Sequence, residues 1–166
     1  MIPSPWDLVV GRQHTRYLGR RVAHCIGRGG RRTDKAEGDG ATPIGAFHIT
    51  GCLYRPDRLA RPAPWAEPIR PGDLWSDDTH DPDYNQPVRA PHDFSHETLS
   101  RADKLYDLVL VTNWNIPAQP GRGSAIFLHR WRKPGHPTEG CVAFAPSDLA
   151  WIASRAAPGT RIIVQP

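Results

Sequence analysis

The chain has 166 residues, 39% of them hydrophobic, which suits one domain with a single core over its whole length, 1–166. With 18 prolines and 15 glycines the connections are expected to be stiff and irregular; no heptad, fixed-period repeat or bilayer-length apolar run occurs, which excludes coiled coils, solenoids and helical membrane spans. The balance is basic, 21 Lys+Arg against 17 Asp+Glu, but the arginines are scattered through loops with no basic helix or RNP-like strand, so nucleic acid is not an expected partner.

In chain order, residues 6–10 and 20–26 read as two strands split by a polar turn around Gln13-His14-Thr15. Residues 27–40, GRGGRRTDKAEGDG, have the glycine density of a phosphate cradle. They lack its GK[ST] ending, and Thr42-Pro43 leads into a strand, so a loop exposed and flexible at its tip is expected. Residues 47–54 alternate apolar and polar, as in a half-buried strand. The proline-rich stretch 55–91 is long for a loop, and its Trp65, Trp75 and Tyr84 favour an ordered lid or pocket wall.

A short helix is expected over 95–104, and buried strands over 106–112 and 124–129, joined by turn formers at 113–123. Ser147 is placed to cap a helix over 148–156, with Leu149, Ile152, Ala153 and Ala156 on one face. Pro158-Gly159 stops it, and 160–164 closes the chain as a strand. The fold class is therefore mainly β with one or two short helices, as a curled mixed sheet or sandwich.

Cys25, Cys52 and Cys141 are odd in number and far apart, and no CxxC or HxxxH pair occurs, so neither a disulfide framework nor a metal site is expected. Cys25 and Cys52 lie in strand-like runs and read as small buried hydrophobes. Cys141 lies just past a polar loop. Twelve residues before it, the run Ala125-Ile126-Phe127-Leu128 delivers His129. A buried thiol or a sheet-edge histidine accounts for either residue alone. Together, flanking one loop, they suit acyl transfer through a thioester. His129 would take the thiol proton, the Arg130 carbonyl would orient its ring, and the Gly140 and Cys141 amides would hold an oxyanion. Trp75 and Tyr84 are candidate substrate-binding residues on the long loop, whereas His80 and His96 read as exposed or capping residues.

The segments Ser124-Ala125-Ile126-Phe127-Leu128-His129 and Pro137-Thr138-Glu139-Gly140-Cys141-Val142-Ala143 resemble the active-site segment of the L,D-transpeptidase (YkuD-like) family, in its short single-domain branch. Upstream, Gly38-Asp39-Gly40-Ala41-Thr42-Pro43-Ile44-Gly45-Ala46-Phe47 is similar to the family's TPxGxF segment. Asp77-Asp78, Tyr84-Asn85, Pro87-Val88, Ser95-His96-Glu97 and Leu105-Tyr106-Asp107-Leu108-Val109 follow in the right order. The resemblance implies a YkuD-like mixed β-sheet and a cofactor-free cysteine enzyme of peptidoglycan stem peptides, with Cys141 as nucleophile and His129 as base. Thr138 and Arg132 join the expected substrate contacts.

Two positions depart from the family pattern [ST]-H-G-C-x-R. Glu139 stands in place of the second histidine and Ala143 in place of the arginine, which leaves Arg130, Arg132 or Lys133 to meet a substrate carboxylate. Both 3-3 and 1-3 cross-links are compatible with such a pocket. A hydrolase using the same thioester, and a non-catalytic basic cell-wall-binding domain, are the alternatives. The resemblance implies a periplasmic or cell-envelope location, although no secretory signal is read at the N-terminus; a monomer is expected.

Overall fold

The computed structural model describes residues 2–166. Its elements are β1 (Leu8–Val10), β2 (His14–Tyr17), β3 (Arg20–Cys25), β4 (Arg31–Arg32), β5 (Thr42–Pro43), β6 (Gly45–Tyr54), β7 (Glu67–Pro68), β8 (Asp73–Ser76), β9 (Pro87–Arg89), β10 (His96–Thr98), β11 (Leu108–Thr112), β12 (Phe127–Arg130), β13 (Val142–Phe144), α1 (Pro146–Ala153) and β14 (Arg161–Val164). The fold is mainly β with one short helix.

The main sheet runs β11-β12-β13-β3-β2-β1-β14-β6-β7. The ten-residue β6 pairs through its first half with β14 and through its second half with β11, so eight of these strands close into a curled ring. β8 joins β9 and β10 in a separate three-stranded sheet.

Strand β11 explains why two cores form. All five of its residues, Leu-Val-Leu-Val-Thr, are buried, because alternate side chains enter opposite layers. Leu108 and Leu110 join Leu8, Phe47, Phe144, Leu149 and Ile162 in the larger core. Val109 and Val111 join Trp75, Tyr106 and Phe127 in the smaller one. Burying each such aliphatic or aromatic side chain favours folding by about 1.5–3 kcal/mol, which fixes the sheet's register on both faces. Cys25 and Cys52 are buried in strands, as their surroundings suggested.

Several sequence expectations change. Residues 14–17 form β2 rather than a turn, because Thr15 and Tyr17 face the core while His14 and Arg16 face outward. The turn lies at Leu18-Gly19, both at positive φ (45° and 78°), the geometry of a two-residue hairpin. The expected 95–104 helix is absent, since His96–Thr98 pairs antiparallel with β8 instead. Residues 124–126 do not extend β12, because Ala125 turns to φ +50°. The C-terminal helix starts earlier, at Pro146 behind Ala145, with no side-chain cap from Ser147. The 27–40 loop is anchored inside its exposed tip at 32–34: Lys35 is buried and ion-paired to Asp39 at 2.6 Å.

Candidate active site

Parallel pairing of β12 with β13 sets Leu128 opposite Val142 and His129 opposite Ala143. Cys141, the residue before β13, is thereby brought level with the start of β12. The Phe127 N–H points at Cys141 Sγ at 3.4 Å, and the thiol donates to the Ala125 carbonyl at 3.1 Å. The glycine before the cysteine has a steric reason. Gly140 sits at φ +139°, and a Cβ there would lie 2.9 Å from the Ala41 carbonyl oxygen. Thr42 clamps the same junction, accepting from the Gly27 N–H at 2.9 Å and donating to the Gly140 carbonyl at 2.8 Å.

The His129 ring is buried with Nδ1 2.7 Å from the Arg130 carbonyl. A carbonyl only accepts, so Nδ1 carries the proton and Nε2 is left with its lone pair. The Tyr106 ring packs edge-on against the imidazole, with centroids 5.4 Å apart. Burial is the main influence on both titrating groups: it lowers His129 to about 4 and pushes the Cys141 thiol up to about 12. At rest the thiol and the imidazole are therefore both neutral.

Both residues line a cavity of about 370 Å³, together with Tyr106, Glu97, Arg101 and Arg132. Glu37, Asp77, Thr138 and Glu139 complete its polar rim. Among the described residues no group of three or more His, Cys, Asp or Glu is arranged to hold a metal ion.

The other expected site residues divide. Arg132 and Thr138 line the cavity, although the Thr138 hydroxyl is engaged within its own turn, accepting from the Gly140 N–H at 3.1 Å and donating to the Cys141 carbonyl at 2.6 Å. The Gly140 amide, expected at an oxyanion, is thus occupied, and the Cys141 N–H is the one left without a partner among the described residues. Trp75 and Tyr84 do not line the cavity but stand behind its wall. Trp75 packs edge-on against Phe127, and the buried Tyr84 donates its hydroxyl to Glu37. Arg130 directs its side chain toward Asp107, 3.8 Å away, leaving its carbonyl as its link to the site.

Four residues at the site carry no expected role. Glu97, Arg101 and Tyr106 reach the cavity from segments whose sequence suggests a helix and a core strand. Asn85, at φ +59°, is a buried hub: its Oδ1 accepts from the Ala125 N–H at 3.0 Å and the Trp75 indole at 3.1 Å, and its Nδ2 donates to the Trp114 and Asn115 carbonyls. It therefore holds the backbone that holds the thiol. The Tyr84-Asn85 pair was visible in sequence, but nothing in it showed which of the two does the holding.

The sequence profile of YkuD, the L,D-transpeptidase catalytic domain, matches residues 8–164. The chain belongs to the YkuD family. Among solved structures it is similar to an L,D-transpeptidase from Mycobacterium smegmatis, with 16% identity and a TM-score of 0.43 over 92% of this chain. The chain spans about half of that protein, 53% of its length. No curated protein sequence matches it.

The two departures from the YkuD pattern now have places. Glu139 stands at the cavity rim, held by Arg28 at 2.7 Å. Ala143 is fully buried opposite Cys25 and His129, so no charge enters the cavity from that position. The cations lining the cavity are Arg101, whose fork is engaged by Asp103 at 2.9 and 2.7 Å, and Arg132. Lys133 does not line it.

Proposed function

We propose that the protein is a peptidoglycan L,D-transpeptidase working in the cell envelope through a cysteine thioester. The observation that carries this reading is that Cys141 and a His129 ring oriented by the Arg130 carbonyl line one cavity of a YkuD domain. His129 Nε2 takes the thiol proton as the sulfur attacks the stem-peptide carbonyl on the L-side of an L–D bond. The Cys141 N–H stabilises the oxyanion. The C–N bond then breaks, the imidazolium returns its proton to the leaving amine, and the acyl group stays on sulfur. An amine from a second stem attacks the thioester, forming the cross-link and releasing the thiol.

Arg132, the one cavity cation without a carboxylate within ion-pairing distance among the described residues, is assigned to a substrate carboxylate. Purified protein incubated with disaccharide-tetrapeptide is expected to give cross-linked dimers that disappear in Cys141→Ala. Mass spectrometry of the dimers reads the link as 3-3 or 1-3. Trimmed monomers without dimers would make the protein an L,D-carboxypeptidase. Absence of both products, with no covalent adduct at Cys141, would leave only a wall-binding role.

A further inference from the structure

The cavity's charge is opposite to that of the whole molecule. The chain carries a net +4, yet four acidic residues, Glu37, Asp77, Glu97 and Glu139, line the cavity against Arg101 and Arg132. Three of the acids differ sharply from Glu97 in how they are used. Glu37 accepts the Tyr84 hydroxyl, Glu139 is paired with Arg28, and Asp77 has an oxygen, Oδ1, that is buried without a hydrogen-bond partner.

Glu97 is placed by β10, opposite Trp75 of β8, with its side chain still 35% exposed to the cavity. Its contacts are long: the Tyr106 hydroxyl donates from 3.3 Å, and the Arg101 guanidinium stands 3.7 Å away with its fork already committed to Asp103. This carboxylate is therefore only weakly neutralised, and it lies one tyrosine away from the imidazole, because the same Tyr106 ring packs against His129.

We propose that Glu97 is the residue that holds the acceptor's primary ammonium and takes its first proton, with the unpartnered oxygen of Asp77 as its helper. The proposal rests on the transpeptidase reading. Resolving a thioester with an ammonium group yields an amide, a thiol and one proton. Glu97 receives that proton. The freed amine attacks the thioester carbonyl; the C–N bond forms and the C–S bond breaks. The second N–H proton passes through His129 Nε2 to the departing sulfur. A carboxylate at this place selects an ammonium over water, which has no charge to offer it, and so favours cross-linking over hydrolysis. Burial raises the Glu97 carboxyl above its usual range, with Arg101 opposing and Asp77 and Glu37 reinforcing, which suits a proton acceptor.

The test measures two readouts in one reaction with disaccharide-tetrapeptide: acyl-enzyme by intact mass, and the ratio of dimer to hydrolysed monomer. Glu97→Gln keeps the side-chain shape and is expected to form acyl-enzyme within about 3-fold of the parent rate while the dimer-to-monomer ratio falls at least about 10-fold. Glu97→Asp, which keeps the charge, is expected to recover much of that ratio, whereas a merely structural role is served equally by Gln. The acidic limb of the dimer-to-monomer ratio, set by Glu97 among Arg101, Tyr106, His129, Asp77 and Glu37, is expected to vanish in Glu97→Gln, while the acidic limb that His129 sets on acylation stays. An unchanged ratio with normal acylation would overturn the role of Glu97 alone. Failure of the parent protein to acylate Cys141 would overturn the transpeptidase reading beneath it.

Discussion

The resting thiol is expected to be unreactive until substrate arrives, and its alkylation kinetics test this directly. With the thiol at about 12, the thiolate fraction at pH 8 is on the order of 10⁻⁴, against roughly 0.2 for a free cysteine near 8.5. The higher intrinsic nucleophilicity of a high-pKa thiolate recovers about 25- to 55-fold of that deficit. The net expectation is iodoacetamide labelling of Cys141 roughly 50-fold slower than free cysteine at pH 8, rising about tenfold per pH unit. His129→Asn keeps a donor for the Arg130 carbonyl but removes the base. It is expected to change labelling by less than about 3-fold, because no ion pair exists to lose, yet to slow acylation by substrate about 100-fold or more. Labelling would be followed by peptide mapping across pH 6–10, with Cys52, also held at about 12 by burial, as an internal reference. A labelling rate that levels off below pH 8, or that collapses in His129→Asn, would mean a standing thiolate–imidazolium pair and refute the reasoning.

Asn85→Ala should strip partners from the Ala125 N–H, the Trp75 indole and two carbonyls together, costing about 3 kcal/mol and lowering Tm by about 6–12 °C in a thermal melt, with slower Cys141 acylation in the protein that remains folded. Gly140→Ala forces a Cβ to 2.9 Å from the Ala41 oxygen at a φ that L-residues avoid, so a loss of about 1–3 kcal/mol in denaturant melts and a larger relative loss of acylation are expected. Asp7 is held at about 2, chiefly by its two hydrogen bonds from Arg161 at 2.9 and 2.6 Å. Because its folded pKa lies below the ordinary 3.8, its contribution is full above that value and is lost as pH falls through about 2. Asp7→Asn should therefore cost about 1–2 kcal/mol at pH 7 and flatten the decline in stability between pH 4 and 2.

What the sequence made legible was the apolar and reactive part of the molecule. Residues 47–54 alternate apolar and polar and residues 106–112 hold a continuous apolar run, each enough to specify a strand, and the His129–Cys141 spacing flanks a loop that the parallel β12–β13 pairing closes. What it hid was tertiary. The strand His14–Tyr17 is half polar and yields its identity only through partners on both sides, β1 and β3. Glu97 sits in a segment with enough helix formers to suggest a helix, but the edge of β8 offers its backbone better partners. Trp75 and Tyr84 looked like substrate contacts because large aromatics on a long loop can serve either purpose. The smaller core claimed Trp75, and Glu37 claimed the Tyr84 hydroxyl.

The two departures from the family pattern bear on one another once placed. An alanine where the family pattern has an arginine leaves position 143 without a cation, and Glu139 adds an anion at the rim, so both shift the cavity in the same electrostatic direction. The acids on β10 and in the turn after β8 continue that shift, on a chain whose overall charge is positive. A cavity of this sign works against a bare carboxylate and in favour of a cationic amine. On the proposed mechanism it strengthens the second half-reaction, in which an amine must outcompete water, and leaves recognition of the donor's carboxylate to Arg132 at the mouth. Arg132→Ala should then weaken acylation by the tetrapeptide donor, while the division of the thioester between amine and water stays as it was. A variant that changed that division but not acylation would place Arg132 with the acceptor and overturn its assignment to the donor.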